Sequence, residues 1–241
     1  MIDLCIVTDA SAEYNFDNCN ITYYKSDDVI KPYEWNNYNA VFLIEPYGDN
    51  ALKSWIGHPH LRAFESEKDL EKELVVLSQN IEIEKKYLVK IPDIKALDKY
   101  FARKVEIEQV YLVNEQGTHR IRKRQCGNFT QYSETLKIRI NDEKCHEYED
   151  IIDETKYNDL LKLADVNKKP IVKNRYCFVY KRQYFELDVY SFWDDKATLE
   201  LELACENQAV FLPPEIEIIK DVTNDKRYKN NYLARKINED S

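Results

Sequence analysis

The chain has 241 residues, 33% of them charged and 44% hydrophobic, and a formal net charge of -9. That length builds one large domain or a domain with a small companion, and the acidity disfavours a general attraction to nucleic acid or anionic lipid. No apolar run approaches the ~20 residues of a membrane helix, and 4 Gly and 7 Pro leave little room for a long flexible linker.

Cys5, Cys19, Cys126, Cys145, Cys177 and Cys205 form no CxxC pair, which argues against a zinc site. With no signal-peptide pattern after Met1, these scattered thiols point to a reducing cytoplasm.

Residues 1–80 read as an α/β fragment. Ile2, Leu4 and Ile6 alternate as a short strand, and Ala40-Val41-Phe42-Leu43-Ile44 is a continuous apolar run of the kind a buried parallel strand shows. Ser66, with Asp69 three residues on, is a candidate helix start, followed by Leu70, Leu74 and Leu77 as an apolar stripe. His58-Pro59-His60 reads as a rigid turn and not as a metal site, because the proline fixes the backbone and no third ligand is near in sequence. No GxxxxGK[ST] loop exists to cradle phosphates.

From residue 81 on, charged residues recur two apart. Glu82, Glu84 and Lys86 share one face of a strand, with Ile83, Lys85 and Tyr87 on the other. Glu106–Val113 is a strand, turned at Asn114-Glu115-Gln116-Gly117 into a return strand with Arg120 and Arg122 on one face. Gly127 and Asn128 mark the next turn, and Lys137 and Arg139 then oppose Leu136, Ile138 and Ile140. Glu147 and Glu149 alternate with Tyr148, and Asp153–Ala164 has a helical pattern. Lys173 and Arg175, Glu186 and Asp188, and Glu200 and Glu202 complete the series.

One such strand is equally a charged edge that discourages aggregation. A whole series, acidic and basic by turns, is economically explained if all of them aim at a common centre holding a cation and an anion together. The 18 tyrosines are expected in packing, since no basic-aromatic motif of the RNA-binding kind accompanies them.

Glu82-Ile83-Glu84-Lys85-Lys86 resembles the ExExK signature of the CYTH superfamily, the triphosphate tunnel metalloenzymes. Ile107–Leu112, Arg120-Ile121-Arg122, Thr135-Leu136-Lys137, Glu147-Tyr148-Glu149, Lys173-Asn174-Arg175, Glu186-Leu187-Asp188, Glu200-Leu201-Glu202 and 221–230 resemble later family segments in order. The likeness spans about residues 81–236. It implies an α+β chain in which a closed eight-stranded antiparallel β-barrel with flanking helices (residues 81–241) follows the small α/β fragment (1–80). The fragment itself resembles, over residues 40–78, the end of a P-loop kinase-like ATPase domain, through Val41–Ile44 and Trp55-Ile56-Gly57-His58-Pro59-His60-Leu61-Arg62, without its phosphate-binding front.

Residue by residue, the resemblance implies that Glu82, Glu84, Asp188, Glu200 and Glu202 hold Mg²⁺ or Mn²⁺. Lys86, Arg120, Arg122, Lys137, Lys173 and Arg175 would grip a triphosphate, and Lys86 with Tyr111 would form a base-activating pair. The resemblance makes Glu147, Glu149, Glu186 and Arg139 further expected lumen residues. Crowding by other cations would lower the Lys86 pKa. Cys145 stands where an Arg often precedes the family's fifth ExE strand, and no Gly lies between Asp188 and Leu199, where members often have one. The implied activity is metal-dependent triphosphate hydrolysis. A sensor that binds polyphosphate or nucleotide without turnover, and ATP cyclisation, share the same residues and stay open. The expected partner is a small-molecule triphosphate, not nucleic acid or membrane, with the chain a monomer or homodimer.

Overall fold

The computed structural model describes residues 2–9, 14, 16, 19–64, 70, 73–74, 81–140, 144–203 and 207–239, excepting the side chains of 81, 82, 144, 145 and 236–239. Its first sheet is parallel, in the order β2-β1-β3-β4, built from β1 (Ile2–Val7), β2 (Cys19–Tyr24), β3 (Ala40–Ile44) and β4 (Leu61–Phe64). Sequence alternation suggested a half-buried β1, yet Leu4 through Val7 are all buried, as is every residue of β3. Both faces are covered. Cys5, Val7, Val41 and Leu43 pack on one side with Trp35, Trp55 and Ile56. Leu4, Ile6, Phe42 and Ile44 pack on the other with Leu70 and Leu74. Between β3 and β4 lies a short helix, Asp49–Trp55. The expected cap Ser66, Asp69 and Leu77 fall outside the described residues.

The second sheet is antiparallel. It comprises β5 (Ile81–Lys90), β6 (Arg103–Leu112), β7 (Thr118–Cys126), β8 (Phe129–Arg139), β9 (Lys144–Ile152), β10 (Ile171–Tyr180), β11 (Gln183–Tyr190), β12 (Lys196–Glu202) and β13 (Ile218–Asp221). The pairing order is β12-β11-β10-β6-β7-β8-β9-β5-β13, and β12 pairs with β5 as well. In that last ladder Lys86 stands opposite Glu200, and Glu84 opposite Glu202.

The turns follow local chemistry. The Asn114 side-chain oxygen accepts the Gln116 and Gly117 amides at 2.8 and 3.1 Å. Gly117 is required there, since a Cβ would lie 2.3 Å from the Lys137 carbonyl oxygen. Gly127, with φ +59°, and Asn128 turn β7 into β8. The helix predicted over Asp153–Ala164 is Glu154–Leu161, and the Asp153 carboxylate accepts the Lys156 amide at 2.7 Å as its cap. A last helix, Asn230–Glu239, places Leu233 and Ala234 against Tyr111, Ile171 and Tyr190. No helix among the described residues is long and apolar enough to cross a membrane.

The two sheets share a core. Val105, Ile107, Cys126, Cys177, Val179 and Tyr184 of the large sheet belong to the same buried cluster as Trp35, Trp55 and Ile56. Cys5, Cys19, Cys126 and Cys177 are free thiols, while the side chain of Cys145 and the whole of Cys205 fall outside the described residues.

Candidate active site

Alternation along the large sheet sends every second side chain to one face. These faces converge on a cavity of about 390 Å³. Strand β5 supplies Glu84 and Lys86, and β12 supplies Glu200 and Glu202. Three arginines come from β7, at 120, 122 and 124, and Lys137 and Arg139 come from β8. Glu147 and Glu149 of β9, Arg175 of β10 and Glu186 of β11 complete the strand contribution. Along the pairing series, with β12 joined to β5, acidic β12 is four strands from basic β7 in both directions. Acidic β11 stands in the same relation to basic β8. The two signs are nevertheless interleaved, since Glu147 and Glu149 of β9 stand beside basic β8, and Lys86 of β5 and Arg175 of β10 stand beside acidic β12 and β11.

Among the described residues the wall carries ten Lys and Arg side chains against six Glu. That local excess of cations lies inside a chain whose formal charge is -9. The carboxylates are each engaged. Lys86 donates to Glu200, and Lys229 donates to Glu84. Arg175 donates to Glu186, to Glu200 at 2.9 Å and to Asp188 at 2.7 Å. Arg120 reaches Glu147 at 3.0 Å, Lys137 reaches Glu147 at 2.8 Å, and Thr135 donates to Glu149 at 2.8 Å.

The basic side has donors to spare. Arg122 Nε and Arg124 Nη1 are buried and have no hydrogen-bond partner among the described residues. Glu149 lies 4.0 Å from Arg122, whose Nη2 donates instead to Gln109 at 3.3 Å. Burial, helped by the neighbouring Arg120, pushes the Arg122 pKa down to about 10, still well above neutrality. A buried, crowded guanidinium with an unused N–H is suited to an incoming anion.

Lys86 departs from expectation. Burial pushes its pKa down, but Glu200 and Glu84 outweigh burial and the value ends raised. The ammonium is held by carboxylates; other cations do not set its charge. Burial lifts the Tyr111 phenol to about 12. Its oxygen accepts the Gln109 side-chain amide at 2.6 Å.

Most of the residues named from sequence meet at this cavity. Three do not. The Glu82 side chain lies outside the described residues, although its backbone is opposite Cys145. Lys173 and Asp188 do not line the wall. They form an ion pair with both side chains at 0% exposure, just behind it. Burial and Arg175 push Lys173 down to about 8.

Sequence reasoning missed Arg124, though it continues the alternation of Arg120 and Arg122. It also missed Lys229 and Arg235, which bring the C-terminal segment to the wall, and His60, which comes from the segment before β4. His58-Pro59-His60 is the rigid turn expected: His58 is 1% exposed, Nδ1 accepts the His60 amide at 3.1 Å and Nε2 donates to the Tyr38 carbonyl at 3.3 Å. Burial holds the His58 pKa well below its ordinary value, in keeping with a neutral ring that both accepts and donates.

No protein-family model and no curated protein matches the chain. Two crystal structures of NE1496 do, one of them described as that of an inorganic triphosphatase. The first is 33% identical, covers 64% of this chain and 97% of the other, and superposes with a TM-score of 0.42. The second, the inorganic triphosphatase, is 32% identical over 64% of this chain and 94% of the other, with a TM-score of 0.41. A third structure, PH1819 from Pyrococcus horikoshii OT3, is 23% identical over 50% of this chain and 77% of that one, with a TM-score of 0.40. The identity over nearly all of NE1496, and not the superposition, is what decides.

The chain belongs to this CYTH-like family. In this chain the alternating charged rows of the large sheet are the ones that meet the cavity. The match covers 64% of the chain, and none of these three structures is described as an ATPase, so the likeness of residues 40–78 to an ATPase domain gains no support.

Proposed function

We propose that the chain is a metal-dependent triphosphatase, hydrolysing inorganic triphosphate or a nucleoside or organic triphosphate inside a tunnel. In this reading β5 to β12 close into an eight-stranded barrel, with the β12–β5 ladder as its seam. Residues 1–80 and 81–241 are then an α/β companion and a tunnel domain. The observation that carries the proposal is the cationic excess of the cavity wall, which matches a polyanion far better than a neutral or cationic ligand.

The donor set fits a divalent ion that arrives with its phosphate. Among the described residues no three His, Cys, Asp or Glu side chains gather as a metal cage. Glu84 and Glu200 do interact: burial and Glu200 push the Glu84 pKa up, but Lys229, with Lys137 and Lys86, outweighs them and the value ends lowered. Two carboxylates suffice for Mg²⁺, which commonly takes one or two from protein and completes its coordination with phosphate oxygens and water. Glu84 and Glu200 would hold Mg²⁺ or Mn²⁺, which would supply neutralisation of the phosphate charge.

The remaining chemistry belongs to side chains. Arg120, Arg122, Arg124, Lys137 and Arg175 would hold the triphosphate oxygens, as fixed charges placed where negative charge shifts in the transition state. Lys86, kept protonated by Glu200, donates and stabilises; it does not abstract a proton. Tyr111, neutral at physiological pH, can orient water through its oxygen. Lys173 and Asp188 act one layer back by fixing the Arg175 fork. Glu147, Glu149 and Glu186 balance the arginines, and Arg139 lies at an exposed margin of the cavity.

The test is phosphate release from inorganic triphosphate, ATP, GTP and thiamine triphosphate with Mg²⁺ or Mn²⁺. Glu84→Gln and Glu200→Gln should each slow the preferred reaction by on the order of 100-fold. Unchanged rates in both variants would sink the assignment. Binding without release would make the protein a sensor, and cyclic AMP from ATP would make it a cyclase.

A further inference from the structure

The two ends of the cavity differ. Thr118 and Cys126 are the first and last residues of β7. At the Thr118 end, where Thr118 pairs with Lys137 of β8, Asn231 donates to the Thr118 hydroxyl at 3.4 Å. The wall there ends in Arg139, Tyr232 and Arg235, all exposed. At the Cys126 end the inward rows run into apolar core. On β7 Arg124 gives way to Cys126, on β10 Arg175 gives way to Cys177 and Val179, and on β11 Glu186 gives way to Tyr184. These join Val105 and Ile107 of β6 in one cluster with Trp35, Trp55 and Ile56. The side chain of Gln131, on β8, donates to Asn36 at 2.7 Å, and Glu202, on β12, accepts from Arg62 of β4. A charged chain has no favourable way through such a core.

The turn that rests on this end belongs to the segment between β3 and β4. The Gly57 carbonyl accepts Arg124 Nη2 at 2.9 Å, and the His58 carbonyl accepts the Tyr184 hydroxyl at 3.1 Å. Those two bonds seat the turn so that Pro59 and His60 line the cavity. Arg124 is 4% exposed and its Nη1 has no partner among the described residues. Nε of Arg122, two residues back on the same face, is in the same position. His60 is half-buried. Burial pushes the Glu149 pKa up, but Arg122 and His60 help to outweigh it and the value ends lowered, so the imidazole and the Arg122 guanidinium act on one carboxylate. The acids near this end are already engaged: Glu149 by Thr135, Glu186 by Arg175 and Glu202 by Arg62. Buried N–H groups without partners remain for an anion.

We propose that the parallel sheet is the floor of the cavity, and that His60 and Arg124 on this floor read the free terminal phosphate of the ligand. The inference rests on the triphosphatase reading and deepens it. It narrows the substrate class to linear triphosphates, and their esters, that have one unsubstituted end. The ligand enters from the Thr118 end with that phosphate first, and any organic group stays at the exposed mouth. An unsubstituted end phosphate presents more acceptor oxygens and more charge than an esterified one, so it satisfies the floor best.

The experiment uses the full chain and a ladder of three ligands: inorganic triphosphate, its monomethyl ester at one end phosphate, and its dimethyl ester at both. Calorimetry without divalent ion reads binding, and competition against triphosphate hydrolysis with Mg²⁺ reads the same order. The first methyl should cost no more than a few-fold in affinity, because the ligand turns its free end to the floor. The second should cost about tenfold or more, because a charge-assisted contact is then lost at a buried site. His60→Ala should shrink the second step several-fold and leave the first unchanged. Arg124→Gln should do the same by a larger factor. A merely structural role would weaken all three ligands alike and leave both steps intact. The wild-type ladder and His60→Ala keep the proposal testable if Arg124→Gln does not fold. Equal steps in the wild type, the result for a cavity open at both ends, would overturn the proposal and leave the triphosphatase reading standing. So would a second step that His60→Ala does not change. A wild-type chain that neither binds nor hydrolyses triphosphate would instead bring down the triphosphatase reading itself.

Discussion

The two sheets bury side chains on both faces, yet they solve different problems. In the parallel sheet both faces are apolar, and neighbouring residues of one strand simply join different clusters: Val41 and Leu43 one, Phe42 and Ile44 the other. In the large sheet one face carries Lys86, Arg122, Arg175 and Asp188, every one of them less than a tenth exposed. Apolar burial is stable whoever the neighbours are. Buried charge is stable only while its partners remain. The first sheet should therefore tolerate substitution by size, and the second only by charge and geometry.

The largest test of that contrast is Asp188→Asn. Asp188 and Lys173 are wholly buried, and Arg175 forks onto the same carboxylate. Removing the negative charge leaves two cations paired with less than they need, and should cost about 3–5 kcal/mol. Urea denaturation measures it. Phe42→Leu, a change of similar shape at a buried site of the parallel sheet, should cost far less. If Asp188→Asn costs no more than Phe42→Leu, buried charge in the large sheet is no more dependent on its partners than apolar burial in the parallel one.

A second test sits where the sheets meet. Gly57 has φ +105°, and a Cβ there would lie 2.9 Å from the Trp35 ring and 3.1 Å from Arg103. Its carbonyl also accepts Arg124 Nη2 at 2.9 Å. Gly57→Ala should destabilise by about 1–3 kcal/mol through strain and overpacking. It should also weaken triphosphate binding, because Arg124 loses its support. A stability loss with triphosphate affinity intact would show that the shared core and the cavity are independent.

The charged rows were legible because a strand's period is two and charge is easy to see at that spacing. Glu84 and Lys86, Arg120 and Arg122, Lys137 and Arg139, Glu200 and Glu202 all reach the cavity wall as the alternation required. The apolar end of the same rows was harder to read. Arg175, Cys177 and Val179 share one parity of β10, and Arg124 and Cys126 share one parity of β7. Each row passes from cavity into the common core with Trp35 and Trp55. That passage marks where the parallel sheet docks, and it is visible in sequence only once the docking is known. The turn at Lys181 and Arg182, both at positive φ, carries no Gly or Asn to announce it. The depth of Lys173 and Asp188 was also illegible, because spacing assigns a face and says nothing of which side chain lies behind another. The Arg62–Glu202 contact joins residues 140 apart in sequence, and local patterning does not reach that far.

The smallest effect expected is in the response to acid. Burial pushes the Glu200 carboxyl pKa up, but Lys86, Lys173 and Arg175 pull it well below its ordinary value. For Asp188, burial is likewise outweighed by Arg175 and Lys173. A carboxyl with a lower pKa folded than unfolded takes up its proton more readily in the unfolded chain. Its contribution is complete above the unfolded value, about 4, and drains away as pH falls through the folded value. Each tenfold difference in proton affinity is worth about 1.4 kcal/mol. Denaturation midpoints of the wild type should stay level for this contribution from neutrality down to about pH 4 and fall below it. Glu200→Gln should start lower and fall less steeply, since Gln has no proton to gain. No comparable difference should separate Phe42→Leu from wild type. Parallel acid curves for Glu200→Gln and wild type would mean that Lys86 and Arg175 do not hold this carboxylate in solution, and the buried charge network would lose its central member.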